Sequence, residues 1–192
     1  MDFHNFVAEA RTCRRFNENQ PLTKQNLDWL IDCARMVPSA RNAQLLRYVE
    51  ILGEKCKTIF PLTHWAMALK DWGGPHIGER PTAFLAILLP KEHSNLALID
   101  AGIAAQTIQL ACHSKGFGCC IIKSFDNEKC RTELHVPEDY ELMLLLGLGV
   151  AKEVRKLAEV PENGSLNYWR DANQVHYVPK RNLSELILAT YS

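Results

Sequence analysis

The chain predicts an α+β layer fold in one domain, because segments with helical periodicity alternate from residue 2 to residue 146 with short apolar runs of strand composition. Two observations support this. Of the 192 residues, 47% are hydrophobic, enough to bury the core of a single domain. The runs Ala83 to Leu89 and Leu142 to Leu146 carry no polar side chain, as expected for strands inside a core.

The elements follow in order. Residues 2 to 10 form a short helix with Phe3, Phe6, Val7 and Ala10 on one face, and it delivers the chain to the cluster Arg11-Thr12-Cys13-Arg14-Arg15-Phe16. Thr23 is an N-cap, after which Leu27, Leu30, Ile31 and Ala34 recur at helical spacing until Pro38 stops the helix. Ser39 to Gln44 is a loop. Arg47 to Leu52 has the β-branched and aromatic content of a strand and ends at Gly53; Lys55 to Pro61 is a short helix. His64 to Arg80 is rich in Gly, Pro and Trp and shows neither period, so it is a long loop of the kind that often carries function. Ala83 to Leu89 is a strand. Leu96, Ile99, Ile103, Thr107, Leu110 and Ala111 then mark a long helix, apolar nearly all round and hence central, that Gly116 can terminate. Gly118 to Ile122 is a strand, Asp126 caps a helix to about His135, and Tyr140 to Leu146 completes the sheet. Past Gly149 the pattern weakens. Residues 150 to 178 are charged, with aromatics at Tyr168, Trp169 and Tyr177, and read as an extended arm whose aromatics need a partner surface, either their own domain or, as favoured here, a second subunit. A last helix spans Leu183 to Ala189. The single domain 1–192 thus divides into a core, 1–149, and a C-terminal arm with its final helix, 150–192.

Several function classes are excluded by composition. The 22 basic residues are balanced by 22 acidic ones without a basic run, which argues against nucleic acid. The longest apolar runs fall far short of the roughly 20 residues that span a bilayer. The N-terminus, with Asp2, His4, Asn5 and Glu9, lacks the apolar segment of a secretory signal, so a cytoplasmic protein is expected. Seven cysteines, an odd number with no CxxC pair, read as buried free thiols rather than a disulfide framework or a zinc site. Gly147-Leu148-Gly149 follows a strand, but Lys152 stands where a dinucleotide fingerprint needs its third glycine. Asp71, His76 and Glu79 lie in the long loop with nothing in the sequence to pair them, and no catalytic residue or metal site is assigned.

What stands out is local. Arginines this dense in a charge-balanced chain imply an anion, and phosphate is the natural one. The candidate cations are Arg11 beside Thr12, Arg14 beside Arg15, and Lys180 beside Arg181. Asn42 and Gln44 carry donors and acceptors that suit the alternating edge of a flavin or pyrimidine ring, although Pro38-Ser39-Ala40-Arg41-Asn42 reads equally well as a helix stop and capped turn.

Four motifs, in order, resemble the FMN-dependent nitroreductases. They are Ala10-Arg11-Thr12-Cys13-Arg14-Arg15-Phe16; Pro38-Ser39-Ala40-Arg41-Asn42-Ala43-Gln44 with Arg47-Tyr48; Asp100-x-Gly102-x-Ala104-x-Gln106 followed by Lys115-Gly116-Phe117-Gly118-Cys119-Cys120; and His176-Tyr177-Val178-Pro179-Lys180-Arg181-x-Leu183. The resemblance implies a mixed or antiparallel sheet surrounded by helices, in an intertwined homodimer that exchanges its C-terminal arms and holds two FMN molecules at the interface. It implies NADH or NADPH as reductant and a nitroaromatic, quinone or similar small molecule as acceptor, in a ping-pong cycle. By carry-over, Arg11, Thr12, Arg14, Lys180 and Arg181 hold the phosphate and ribityl chain, and Ser39, Asn42 and Gln44 come from the other subunit's loop. Lys70 approaches the pyrimidine edge, and backbone groups of Ile121, Ile122 and Lys123 follow the ring face and its N5 edge. The chain departs from the family pattern at Ala10, at Leu45-Leu46 and at Lys123. Flavin-fragmenting or dehalogenating members, and a flavin-binding homodimer without nicotinamide turnover, are the alternatives.

Overall fold

In a computed structural model that describes residues 2–69 and 71–192, four antiparallel strands form the central sheet in the order β1-β2-β4-β3. They are β1 (Arg47–Leu52), β2 (Ala83–Pro90), β3 (Phe117–Ile122) and β4 (Tyr140–Val150). The apolar run of β2 takes a central position, with Tyr48 opposite Ile87 on one side and Phe84 opposite Gly147 on the other, and only Pro90 of the strand escapes full burial. β4 continues past the expected Leu146 because Gly147 and Gly149 are positions of close approach rather than a strand end. A Cβ on Gly147 would lie 2.9 Å from the Trp65 ring, and one on Gly149 would lie 2.9 Å from Phe16 Cβ.

Helices cover both faces. Of α1 (Phe3–Glu9), α2 (Lys24–Arg35) and α4 (Asn95–Ser114), the last two pack Leu27, Leu30, Ala101, Ala105 and Ile108 onto Leu85, Ile87, Leu146 and Leu148. On the other face, α3 (Glu54–Ile59) and α5 (Asn127–Glu133) join Phe16 and Trp65 over Phe84, Ala86, Ile122 and Leu145. The sequence signals act as read. Thr23 Oγ accepts from Asn26 N while Asn26 Oδ1 accepts from Thr23 N, a reciprocal capping box. Gly116, at φ +71°, turns the chain out of α4. By length and composition α4 could cross a membrane, but half of its most apolar window is buried, and Ala97, Ala101, Ala104, Ala105 and Ile108 make it a core helix. Its outer side still exposes Leu96, Ile99 and Ile103.

The arm differs from expectation. It folds into a second sheet, order β5-β7-β6, from β5 (Arg155–Glu159), β6 (Trp169–Arg170) and β7 (His176–Lys180), with β5 parallel and β6 antiparallel to β7. Within the chain, Trp169 stacks on Tyr177 at 5.4 Å, and Tyr168 lies 5.1 Å from His176. The last helix, α6, is one turn (Leu183–Leu186) instead of reaching Ala189. None of its residues is buried, and so short a helix has no propagation to offset nucleation. Leu183, Leu186, Ile187, Leu188 and Tyr191 are left exposed. The seven thiols are free, and all but Cys33 are buried.

Candidate functional site

The segment 11–16 is pinned between the two sheets. Gln109 Nε2 in α4 donates to Ala10 O (2.9 Å), Cys13 N donates to Cys119 O in β3 (2.9 Å), and Lys152 N donates to Arg15 O (3.0 Å). The fit against β3 depends on Gly118: a Cβ there would stand 2.5 Å from Cys13 Sγ. The segment that carries Arg11, Thr12 and Arg14 is thereby held beside the N-terminal half of β3.

Around them the arm contributes charge that sequence reasoning missed. Glu153, whose side chain is wholly buried, accepts from Arg14 N (2.8 Å), Arg170 Nε (3.1 Å) and Arg170 Nη2 (2.6 Å). Arg155 Nη1 donates to Arg11 O (3.1 Å). His176 is fully buried, and its Nε2 lies 3.3 Å from Arg14 Nη1. Burial, opposed by Glu153 and reinforced by Arg14, Arg170 and Arg155, pushes the His176 imidazole down to about 4, so it is neutral and accepts from Arg14. Arg11 is also lowered from the ordinary guanidinium value, first by burial and then by Arg155. The guanidinium of Arg170 thus pairs with this carboxylate, those of Arg14 and Arg155 stand beside it around His176, Arg11 turns its Nη2 to Val7 O (2.5 Å), and the Nε atoms of Arg11 and Arg155 are buried without a partner. The sequence signal for Glu153 was a charged residue three positions past a buried strand.

Beside the cluster opens a cavity of about 530 Å³, walled by Trp72, Tyr168 and Trp169 with Arg15, Arg170 and Gln174 at its polar side. Such a volume falls in the range of small-molecule sites, roughly 300–1,000 Å³. Arg170 stacks over Trp72 at 4.1 Å and Arg14 over Tyr168 at 4.7 Å. Arg15 is spent on structure, with Glu79 at 3.2 Å and Gln174 at 3.0 Å; this pairs the Glu79 that the sequence left unpaired.

The other predicted residues fall elsewhere. Ser39, Asn42 and Gln44 belong to a 3-10 turn (Ala40–Asn42) whose Arg41, Asn42 and Gln44 have φ of 54°, 52° and 48°, a conformation L-residues rarely adopt. There Ser39 Oγ accepts from Gln44 N (3.2 Å), Gln44 Nε2 donates to Asn42 Oδ1 (3.1 Å), and Ala40 N ties the turn to Asp100 of α4 (3.0 Å). Ile121 and Ile122 end β3, while exposed Lys123 Nζ donates to Met143 O (2.9 Å). Lys180 closes β7, about 13 Å of strand from His176, and Arg181 pairs with Glu185 at 3.1 Å. Lys70 lies outside the described residues. The vicinal thiols are not nucleophiles: burial raises Cys120 to about 12, and a hydrogen bond to Cys112 with burial raises Cys119 well above a normal thiol. Among the described residues no group of His, Cys, Asp and Glu could hold a metal ion.

Comparison with known proteins identifies the family and the fold. The sequence profile of the Nitroreductase family matches residues 7–150. Two Bacillus subtilis proteins provisionally named as NAD(P)H nitroreductases are similar: MhqN, 22% identical over 79% of this chain and 89% of its own length, and YodC, 24% identical over 76% and 88%. Among solved structures, the FMN and NADPH-dependent nitroreductase NfnB from Sphigopyxis sp. strain HMH superposes over the whole of both chains, with a TM-score of 0.72 and 17% identity. An FMN-dependent nitroreductase of Clostridium difficile R20291 gives a TM-score of 0.64 and 23% identity over 79% of this chain and 88% of its own. At these identities the structures speak for the fold.

Proposed function

Because the chain belongs to the nitroreductase family, we propose that it is an FMN-dependent oxidoreductase that moves electrons from NADH or NADPH to nitroaromatic, quinone or similar electron-poor small molecules. The observation that carries this reading is the surplus of buried guanidinium charge beside an aromatic cavity. Arg14, Arg155 and Arg170 against the one carboxylate of Glu153, with the buried Nε atoms of Arg11 and Arg155 unpartnered, suit a phosphate dianion, and Trp72, Tyr168 and Trp169 suit a planar ring. When bound, FMN supplies the two-electron transfer itself. The protein's residues then bind and orient it: Arg11, Thr12, Arg14 and Arg155 take the phosphate and ribityl oxygens, and Lys70 serves the pyrimidine edge. The backbone of Ile121 to Lys123 borders the ring. Neutral His176 accepts from Arg14 and aims it, leaving no proton of its own to deliver at neutral pH.

Ser39, Asn42, Gln44, Lys180 and Arg181 enter through a homodimer. The exposed Leu96, Ile99 and Ile103 of α4, with Leu183, Leu186 and Leu188 of the tail, form apolar surface that a second copy would cover, and covering it brings the Ser39–Gln44 loop and the exposed cations to a partner's cluster. Seven free cysteines accord with action in the cytoplasm.

The test is the visible absorption of the purified protein before and after anaerobic NADH or NADPH, with dithionite as control. A bound flavin bleached by a nicotinamide supports the reading. A flavin bleached by dithionite alone refutes the oxidoreductase activity, and protein that takes up no FMN refutes the cofactor.

A further inference from the structure

Two buried polar side chains of α4 are not explained by core packing. Asp100, 6% exposed, directs both carboxylate oxygens at one backbone donor, Ala40 N, at 3.0 and 3.2 Å. Gln109, 8% exposed, donates to Ala10 O at 2.9 Å. Each grips the residue that opens a candidate ligand segment: Ala40 leads into the Ser39–Gln44 turn, and Ala10 leads into Arg11, Thr12 and Arg14.

The spacing matters. Nine residues of α-helix are two and a half turns, so the two side chains project from opposite edges of the buried face, about 13 Å apart along the axis. The helix itself stands between the segments they hold. We infer that Asp100 and Gln109 are positioning residues: α4 is a rigid spacer that fixes the arginine segment of its own subunit's site through Gln109 and the amide loop offered to the other subunit's site through Asp100. Neither touches the cofactor. Asp100 has the harder task, because a turn with Arg41, Asn42 and Gln44 at positive φ persists only where its surroundings over-determine it. A buried carboxylate on Ala40 N, with Ser39 Oγ on Gln44 N, does so. The inference rests on the proposed FMN site shared between subunits.

The division of labour between the two edges makes it testable in mixed dimers. Asp100→Ala removes the acceptor for Ala40 N, and Gln109→Met keeps length while removing the donor to Ala10 O. Each homodimer should bind FMN about tenfold or more weakly, the effect of one lost hydrogen bond at a clamped segment, as read by quenching of flavin fluorescence. Asp100→Asn, which keeps an acceptor facing Ala40 N, should bind within about threefold of wild type by the same reckoning. A heterodimer of one Asp100→Ala and one Gln109→Met chain, isolated through two different affinity tags, should hold one wild-type site and one doubly impaired site. It should therefore bind one FMN per dimer with wild-type affinity. Two equally weakened sites in that heterodimer, or wild-type affinity in both homodimers, would overturn the inference. If a homodimer fails to fold by circular dichroism, the co-expressed heterodimer decides alone, since the intact site is present whenever that dimer assembles. Wild-type protein that binds no FMN would instead overturn the functional reading on which the inference rests.

Discussion

Replacing Glu153 with alanine removes the carboxylate on which the arm and the arginine segment converge. Its side chain is wholly buried, that of Arg170 is 8% exposed, and three donors lose their acceptor at once: Arg14 N, Arg170 Nε and Arg170 Nη2. Breaking a buried pair from one side costs about 3–5 kcal/mol, because the remaining charge stays desolvated and unpaired. Here Arg14 and Arg155 stand nearby and add repulsion. At about 2–4 °C per kcal/mol for a chain of this size, the melting temperature should fall by roughly 10 °C. Urea unfolding of the flavin-free protein measures the loss directly. A second expectation separates this account from simple cavity formation: an anion can occupy the space of the missing carboxylate, so inorganic phosphate should stabilise Glu153→Ala more than wild type. At a hundred times its dissociation constant a ligand contributes about 2.7 kcal/mol. A destabilisation below about 1 kcal/mol, the scale of an exposed pair, or equal phosphate stabilisation of both proteins, would refute the reasoning.

Other changes probe single contacts. Gly118→Ala drives a methyl group to 2.5 Å from Cys13 Sγ and 3.1 Å from the Phe16 ring, so it should cost about 1–3 kcal/mol in urea unfolding and weaken FMN binding by displacing the arginine segment. His176 is held at about 4 when folded, against 6.5 when free, so the unfolded chain binds the extra proton between those values. Stability should therefore fall as pH drops from 6.5 toward 4, by at most about 3 kcal/mol, and His176→Gln should flatten that slope in pH-dependent unfolding. Arg181→Ala breaks only an exposed pair with Glu185 and should shift stability by less than about 1 kcal/mol; an accompanying loss of FMN affinity would show that the exposed cation serves the site.

Much of the fold was legible because local chemistry set it. Pro38, Gly53, Gly116 and the Thr23 cap punctuate the chain as any host would have them do, and the unbroken apolar run of β2 has no stable place except between two strands and two layers of helix. The arginine segment was legible for a similar reason: charge so concentrated in a neutral chain has to answer a local need. The arm was not. Tyr168, Trp169 and Tyr177 announce a need for cover, and sequence cannot say which surface supplies it. The β5-β7 pairing that brings Trp169 onto Tyr177 is non-local and weakly patterned. Gly147 and Gly149 misled in the same way, since a glycine at a strand end and a glycine beneath a ring are spelled alike.

The sequence by itself determined the α+β class, the element order through β4, the arginine segment and the family resemblance, because periodicity, caps and short motifs are properties of neighbouring residues. Only the tertiary structure decided that Glu153 and His176 complete the cationic cluster and that Asp100 and Gln109 hold two separate segments from one helix. Each of these joins residues 60 to 162 positions apart. The partner of a buried charge is chosen by the packing that desolvates it, and no local pattern encodes that choice.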